Sequence, residues 1–166
     1  MEWYLRIRLD QWLGTIADDI DSASRAIEDL LGLVSKTFAY PCGQKFVGRG
    51  TDSQSYVPVV AERFLAARGW LGEAPNDPAF CDLARLLGME LDGLTFDEAR
   101  LLIDDAAARG VWLVFAGHDI GDGGNQTVLT STLESICKYA RDPRNGIWID
   151  TVQSVARYVQ EKRTAE

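Results

Sequence analysis

Val111-Trp112-Leu113-Val114-Phe115-Ala116-Gly117-His118-Asp119 is the stretch on which the fold turns. Six apolar residues run without a polar break between Gly110 and Gly117. That is the pattern of a strand covered on both faces, which belongs to a parallel sheet whose crossovers are helices. Both flanks agree. Upstream, Thr95 with Glu98 three positions later has the form of a capping box, opening a helix through Leu102, Ile103 and Ala106 that Gly110 stops. Downstream, residues 117–125 form a glycine-rich loop. Ser131 with Glu134 then suggests a second capping box, for a helix ending near Tyr139 and Pro143.

Toward the N-terminus, Leu5, Leu9, Trp12, Leu13, Ile16, Ile20, Ala23, Ile27, Leu30 and Leu31 recur at intervals of three and four. This is one face of a long amphipathic helix, with Gly32 placed to end it. Thr37-Phe38-Ala39-Tyr40 predicts a short strand, broken by Pro41-Cys42-Gly43. Residues 44–55 read as a polar loop, and a helix with Pro58 in its first turn is expected through Val60, Phe64 and Leu65 to about Ala67. Residues 69–82 hold Gly72, Pro75, Asn76, Asp77 and Pro78 and read as loop. Toward the C-terminus, Gly146-Ile147-Trp148-Ile149 predicts a last strand. Asp150 with Gln153 is expected to cap a final helix with Val152, Val155, Ala156 and Val159 on one face. Strands alternating with helices imply βα units and a mostly parallel sheet or barrel. No internal repeat or linker divides the chain, so residues 1–166 are expected to form one domain.

Composition narrows the classes of function. Hydrophobic residues at 46% and charged residues at 25% are ordinary for a folded domain. No apolar run approaches the roughly 20 residues of a membrane span. No basic segment followed by an apolar stretch marks a signal peptide, so a cytoplasmic location and no membrane partner are expected. The formal net charge is -8, which repels nucleic acid on average, and no basic stripe offsets it. A neutral or partly cationic partner, such as an amino sugar polymer, is compatible with that charge. Cys42, Cys81 and Cys137 contain no CxxC pair, which excludes a zinc knuckle and argues against a disulfide framework.

In α/β enzymes the working residues stand in loops after the carboxyl ends of parallel strands. Two loops have that position here, one after residues 37–40 and one that begins Gly117-His118-Asp119. A histidine just past a buried strand is placed for proton transfer near neutral pH. It is equally a residue that caps the strand end through hydrogen bonds.

Phe38-Ala39-Tyr40-Pro41-Cys42-Gly43 resembles the third motif of the polysaccharide deacetylase family, the NodB-homology domain. The stretch from Trp112 through Gly117-His118-Asp119-Ile120 resembles its fifth motif, a strand ending in a histidine. Gly146-Ile147-Trp148-Ile149-Asp150-Thr151-Val152 is similar to the closing strand and the start of the last helix. The three lie in family order. The resemblance implies an α/β fold, an incomplete (β/α) barrel-like domain without the family's first strands. It implies hydrolysis of N- or O-acetyl groups on a carbohydrate polymer, with a divalent cation, usually zinc, polarising the carbonyl and activating water. His118 would be the general acid for the leaving group. The backbone N–H of Cys42 would be the oxyanion donor, with Tyr40, Pro41 and Gly43 shaping that wall.

The chain also departs from the family pattern. The family's paired aspartates and its two histidines of His-x-x-x-His type normally precede the long helix, and His118 is the only histidine here. A two-histidine metal site within one chain is therefore excluded, no cofactor is expected in this chain alone, and the isolated chain is expected to be inactive. Asp18-Asp19 cannot substitute, because adjacent helical residues diverge by about 100°. Ala116 stands where the family often has a larger apolar residue, and the arginine associated with the third motif is not evident. A barrel without its first strands leaves an unpaired sheet edge, which predicts self-association or a partner there. A non-catalytic relic binding glycans or protein through the same groove is the alternative.

Other features are weaker. The Asp119-to-Asn125 loop carries oxygen ligands and glycines but lacks the EF-hand register and its late glutamate. Gly48-x-Gly50 lacks the strand–glycine–helix context of a dinucleotide site. Cys42 as a nucleophile would need His118 as its base and a carboxylate to orient it. Among Trp3, Trp12, Trp70, Trp112 and Trp148, Trp70 in its polar loop is the expected sugar-stacking residue. Trp112 and Trp148 are expected in the core.

Overall fold

A computed structural model describes residues 2–165, with side chains from Trp12 onward. The long helix α1 spans Glu2–Leu31 and ends where Gly32 takes a left-handed φ of 65°. In its middle Ile20 is buried with Leu13 and Ile16 against Tyr40, Tyr56, Val60 and Ala67. The side chains of Trp3, Leu5 and Leu9 lie outside the described residues. Further along the same stripe Ile27, Leu30 and Leu31 are exposed, and so are Leu33 and Val34 in the turn that follows.

Strand β1 (Thr37–Ala39) pairs in parallel with β4 (Ala66–Arg68), in the register Phe38↔Ala67. Between them lie the antiparallel pair β2 (Phe46–Val47) and β3 (Gln54–Ser55) and the short helix α2 (Val57–Ala61). The parallel ladder continues past β4 through an Arg68↔Leu86 bridge, with Leu86 N–H donating to the Ala67 carbonyl and Gly69 N–H to the Leu86 carbonyl. Strand β5 (Met89–Glu90) follows, and helix α3 (Phe96–Arg109) crosses over to β6 (Phe115–Ala116), parallel to β5. Strands β7 (Asp119–Gly121) and β8 (Thr127–Leu129) pair in parallel, and helices α4 (Thr130–Arg141) and α5 (Val152–Thr164) complete the order. The fold is mixed α/β, and among the described residues the strands do not close into a barrel.

Among the described residues three clusters make the core. One lies under α1 and α2. A second joins α3 and α4 through Leu91, Ala99, Ile103, Val128 and Ile136. The third sets α5 through Ala156 on Ala66 and Leu86. Leu86 is fully buried there, and at about 25 cal/mol per Å2 of apolar surface such a side chain contributes roughly 1.5–3 kcal/mol.

The sequence expectations hold best where local chemistry is strong. Thr95 and Glu98 form the reciprocal capping box of α3, and Gly110 ends it at φ 65°. Several expectations need correction. Residues 66–67 are strand rather than helix, because their backbone is bonded into the ladder on both sides. The polar loop 44–55 contains the β2–β3 pair, and β5 was not foreseen. Only Phe115 and Ala116 of the apolar run form a strand, while Trp112 makes a separate antiparallel bridge to Asn76. Residues 146–149 form no strand. Trp148 there is exposed, with its ring on Tyr158 rather than in the core. Helix α4 starts at Thr130 with Leu129 as its cap, so Ser131 is already inside it. Thr151, not Asp150, caps α5 by accepting from the Ser154 N–H.

Candidate active site

Parallel pairing of β5 with β6 sets the register Glu90↔Ala116. Two residues beyond each strand end stand Asp92 and His118, so the same step off the sheet brings them together. Leu91 N–H still donates to the Ala116 carbonyl and holds the strand ends in line. The Asp92 carboxylate receives two bonds from one residue: the His118 backbone N–H at 3.0 Å and the imidazole Nδ1 at 2.5 Å. Asp92 keeps only 5% of its side chain exposed, whereas the His118 side chain keeps 39%. The carboxylate is thus walled in and the imidazole faces outward. No hydrogen bond among the described residues engages Nε2.

Gly117 makes this approach possible. A Cβ there would lie 2.3 Å from Cγ2 of Val128 and 3.0 Å from Oδ1 of Asp92, so a side chain would push the His118 peptide off its acceptor.

The next strand end supplies a wall. Trp70 follows β4 by two residues, and its ring meets the His118 imidazole edge-on at 4.5 Å between centroids. Trp70 is half-buried, and its Nε1 is enclosed without a hydrogen-bond partner among the described residues. Gly43 packs on the Trp70 backbone, where a Cβ would stand 3.2 Å from the Trp70 carbonyl oxygen. The turn after β1 therefore joins the same rim. In it Pro41 and Cys42 are exposed, and Cys42 holds a left-handed φ of 51°.

Of the residues expected at the site, His118, Trp70 and Gly43 come together at one rim, with Pro41 and Cys42 on the adjoining turn. Tyr40 stands apart. It is 2% exposed, its ring packs on Phe38 and Tyr56, and its hydroxyl donates to the Ala84 carbonyl at 2.9 Å. Its role is in the core beneath the turn rather than on a sugar-facing wall. Burial pushes the Tyr40 phenol up to about 12, helped by its neighbour Tyr56. The Cys42 thiol makes no hydrogen bond to His118, so the pair a cysteine nucleophile needs is not formed.

Asp92 is the residue of this candidate site that sequence reading missed. Its signal was the equal offset of Asp92 and His118 from two strands, visible only once the register is known.

The residues present do not fit the divalent cation that the resemblance implies. Among the described residues no three histidine, cysteine, aspartate or glutamate side chains gather to hold a metal, including those of the Asp119-to-Asn125 loop. The one imidazole already commits Nδ1 to Asp92. What the arrangement can do is hold and move a proton at Nε2, with the tautomer fixed by the carboxylate behind it. No protein-family model, curated protein or solved structure matches the chain.

Proposed function

We propose that this chain is a polysaccharide deacetylase-like protein whose rim binds an acetylated carbohydrate and presents the proton-transfer half of the reaction. The observation that carries the reading is the Asp92–His118 pair, with Nδ1 held at 2.5 Å and Nε2 open. In the neutral ring Nδ1–H donates to Asp92 and Nε2 is a base. Once protonated, Nε2–H can be given to a leaving amine or alkoxide while Nδ1–H stays on the carboxylate. Trp70 supplies an apolar face of the kind on which sugar rings rest, set against the imidazole that would act on them. The parallel strand pairs fit an arc of an incomplete barrel, whose open edge at β1 would take a strand from a second copy.

The donor set favours a second reading alongside this one, a non-catalytic glycan-binding protein using the same rim. Both predict sugar binding and little hydrolysis by the isolated chain. Titrating the protein with acetylated chitooligosaccharide should shift the His118 and Trp70 resonances, with acetate release at background whether or not zinc is added. No shift at either residue would overturn both readings. Acetate release abolished by His118→Ala would restore full catalysis to the chain. With release at background, hydrolysis of an activated acetyl ester that needs no cation, lost in His118→Ala, selects the proton-transfer reading, and no such hydrolysis selects the binding one.

A further inference from the structure

We propose that Lys45 and Arg68 form an anion-binding subsite beside the Trp70–His118 rim, so that the carbohydrate recognised there carries uronate carboxylates. This rests on the reading of the rim as a carbohydrate site.

Among the described residues four cationic side chains belong to half-buried residues: Lys45, Arg63, Arg68 and Arg163. Two are accounted for within the protein. Arg63 pairs with Asp21 at 2.7 Å, and Arg163 donates to the carbonyls of Pro78 at 2.7 Å and Cys81 at 2.9 Å. Lys45 and Arg68 have no carboxylate partner among the described residues, and both stand against the same residue, Gly69. Nζ of Lys45 lies 2.9 Å from where a Cβ on Gly69 would be, and Nη1 of Arg68 lies 3.4 Å from the Gly69 carbonyl oxygen. Gly69 immediately precedes Trp70. The two unmatched cations thus both lie against the residue that precedes the wall of the imidazole.

Partial burial strips water from a charge, and the cost is recovered when an opposite charge is supplied. Among the described residues Lys45 is compensated by the face of the Tyr40 ring, 5.9 Å from its centroid. A planar carboxylate accepts from a guanidinium and an ammonium together. The net charge of -8 acts at long range and is screened over about 8 Å at physiological salt, so contact recognition follows local charge.

The test uses the full chain, isotope-labelled, titrated with O-acetylated oligogalacturonate, with its fully methyl-esterified form, and with inorganic phosphate. The free acid is expected to bind about tenfold tighter than the ester, the factor a charge-assisted contact gives, with shifts at Gly69, Trp70 and His118. Lys45→Met, which keeps the aliphatic stem, and Arg68→Gln should each remove that preference while leaving ester binding in place. Equal binding of acid and ester overturns the anion subsite and leaves the carbohydrate reading standing. Binding of neither sugar overturns the carbohydrate reading itself. Phosphate binding as tight as the acid oligomer's overturns the uronate assignment.

Discussion

Replacing Asp92 by asparagine separates the two tasks that its carboxylate performs. Oδ1 of the new side chain can still accept the His118 backbone N–H, now seen at 3.0 Å. The amide nitrogen, however, can only donate. Facing it, the imidazole must turn Nδ1 into an acceptor and carry its proton on Nε2 instead. The count of hydrogen bonds is conserved while charge assistance is lost, a difference of about 1 kcal/mol between bonds to charged and to neutral groups. For a chain of 166 residues that lowers the melting temperature by about 2–4 °C. Asp92→Ala removes both acceptors and strands a backbone donor, for a loss of about 2–4 kcal/mol. Because His118 is the only histidine, a long-range proton–nitrogen spectrum of the neutral ring contains a single imidazole. The wild type should show the Nδ1–H tautomer and Asp92→Asn the Nε2–H tautomer. An Nε2–H tautomer in the wild type, or no change on substitution, would refute the account of the pair.

Other parts of the molecule give independent checks. Leu86 is fully buried between Ala66 and Ala156, so Leu86→Ala should cost about 3–5 kcal/mol in urea unfolding, and a loss below 1 kcal/mol would contradict that packing. Tyr40 has its phenol raised to about 12 from an unfolded value of 10.0, so the neutral form is favoured in the folded state. Its contribution, on the order of 2–3 kcal/mol, is full below pH 10.0 and is lost as pH rises toward 12. Tyr40→Phe should flatten that alkaline loss, and an unchanged pH profile would count against the burial. Thr95→Ala removes one arm of the α3 capping box and should lower stability by about 1 kcal/mol, with amide exchange accelerated first in the opening turn.

What could be read from the sequence followed how local the determining physics is. Helix α3 was legible because Thr95, Glu98 and Gly110 specify both its ends within the segment. Helix α1 was legible from its apolar stripe, although among its described side chains those around Ile20 are packed and Ile27, Leu30 and Leu31 are exposed. Strand β4 was not legible. Leu65, Ala66 and Ala67 continue a helical spacing, and alanine favours helix. Both alanines are fully buried and the segment is extended because partners on two sides take its backbone bonds. Strand β5 was hidden in Leu86-Leu87-Gly88-Met89-Glu90, which has no β-branched residue to announce it. In the other direction, Ile147, Trp148 and Ile149 look like a strand, yet no neighbouring ladder receives them and the ring of Trp148 rests on Tyr158. At the site, His118 and Trp70 could be named from their loops. Asp92 could not, since its meaning depends on a pairing 26 residues away.

The single imidazole also limits how the chemistry can be divided. Nδ1 is held by Asp92, so Nε2 is the one nitrogen left to act. Were a cation to be coordinated through Nε2, its lone pair would be engaged, and the ring could neither accept a proton nor return one to a leaving group. Proton delivery and metal ligation by His118 are therefore mutually exclusive. Within the deacetylase reading this makes the order of dependence explicit. The rim of Asp92, His118 and Trp70 can serve acetyl hydrolysis only if the electrophile is held by other ligands, and every residue named at this rim keeps its role under that condition. Lys45 and Arg68 supply no ligand for such a cation, and their positive charge beside Gly69 would oppose it, so a cation would have to be held on the far side of the imidazole from them.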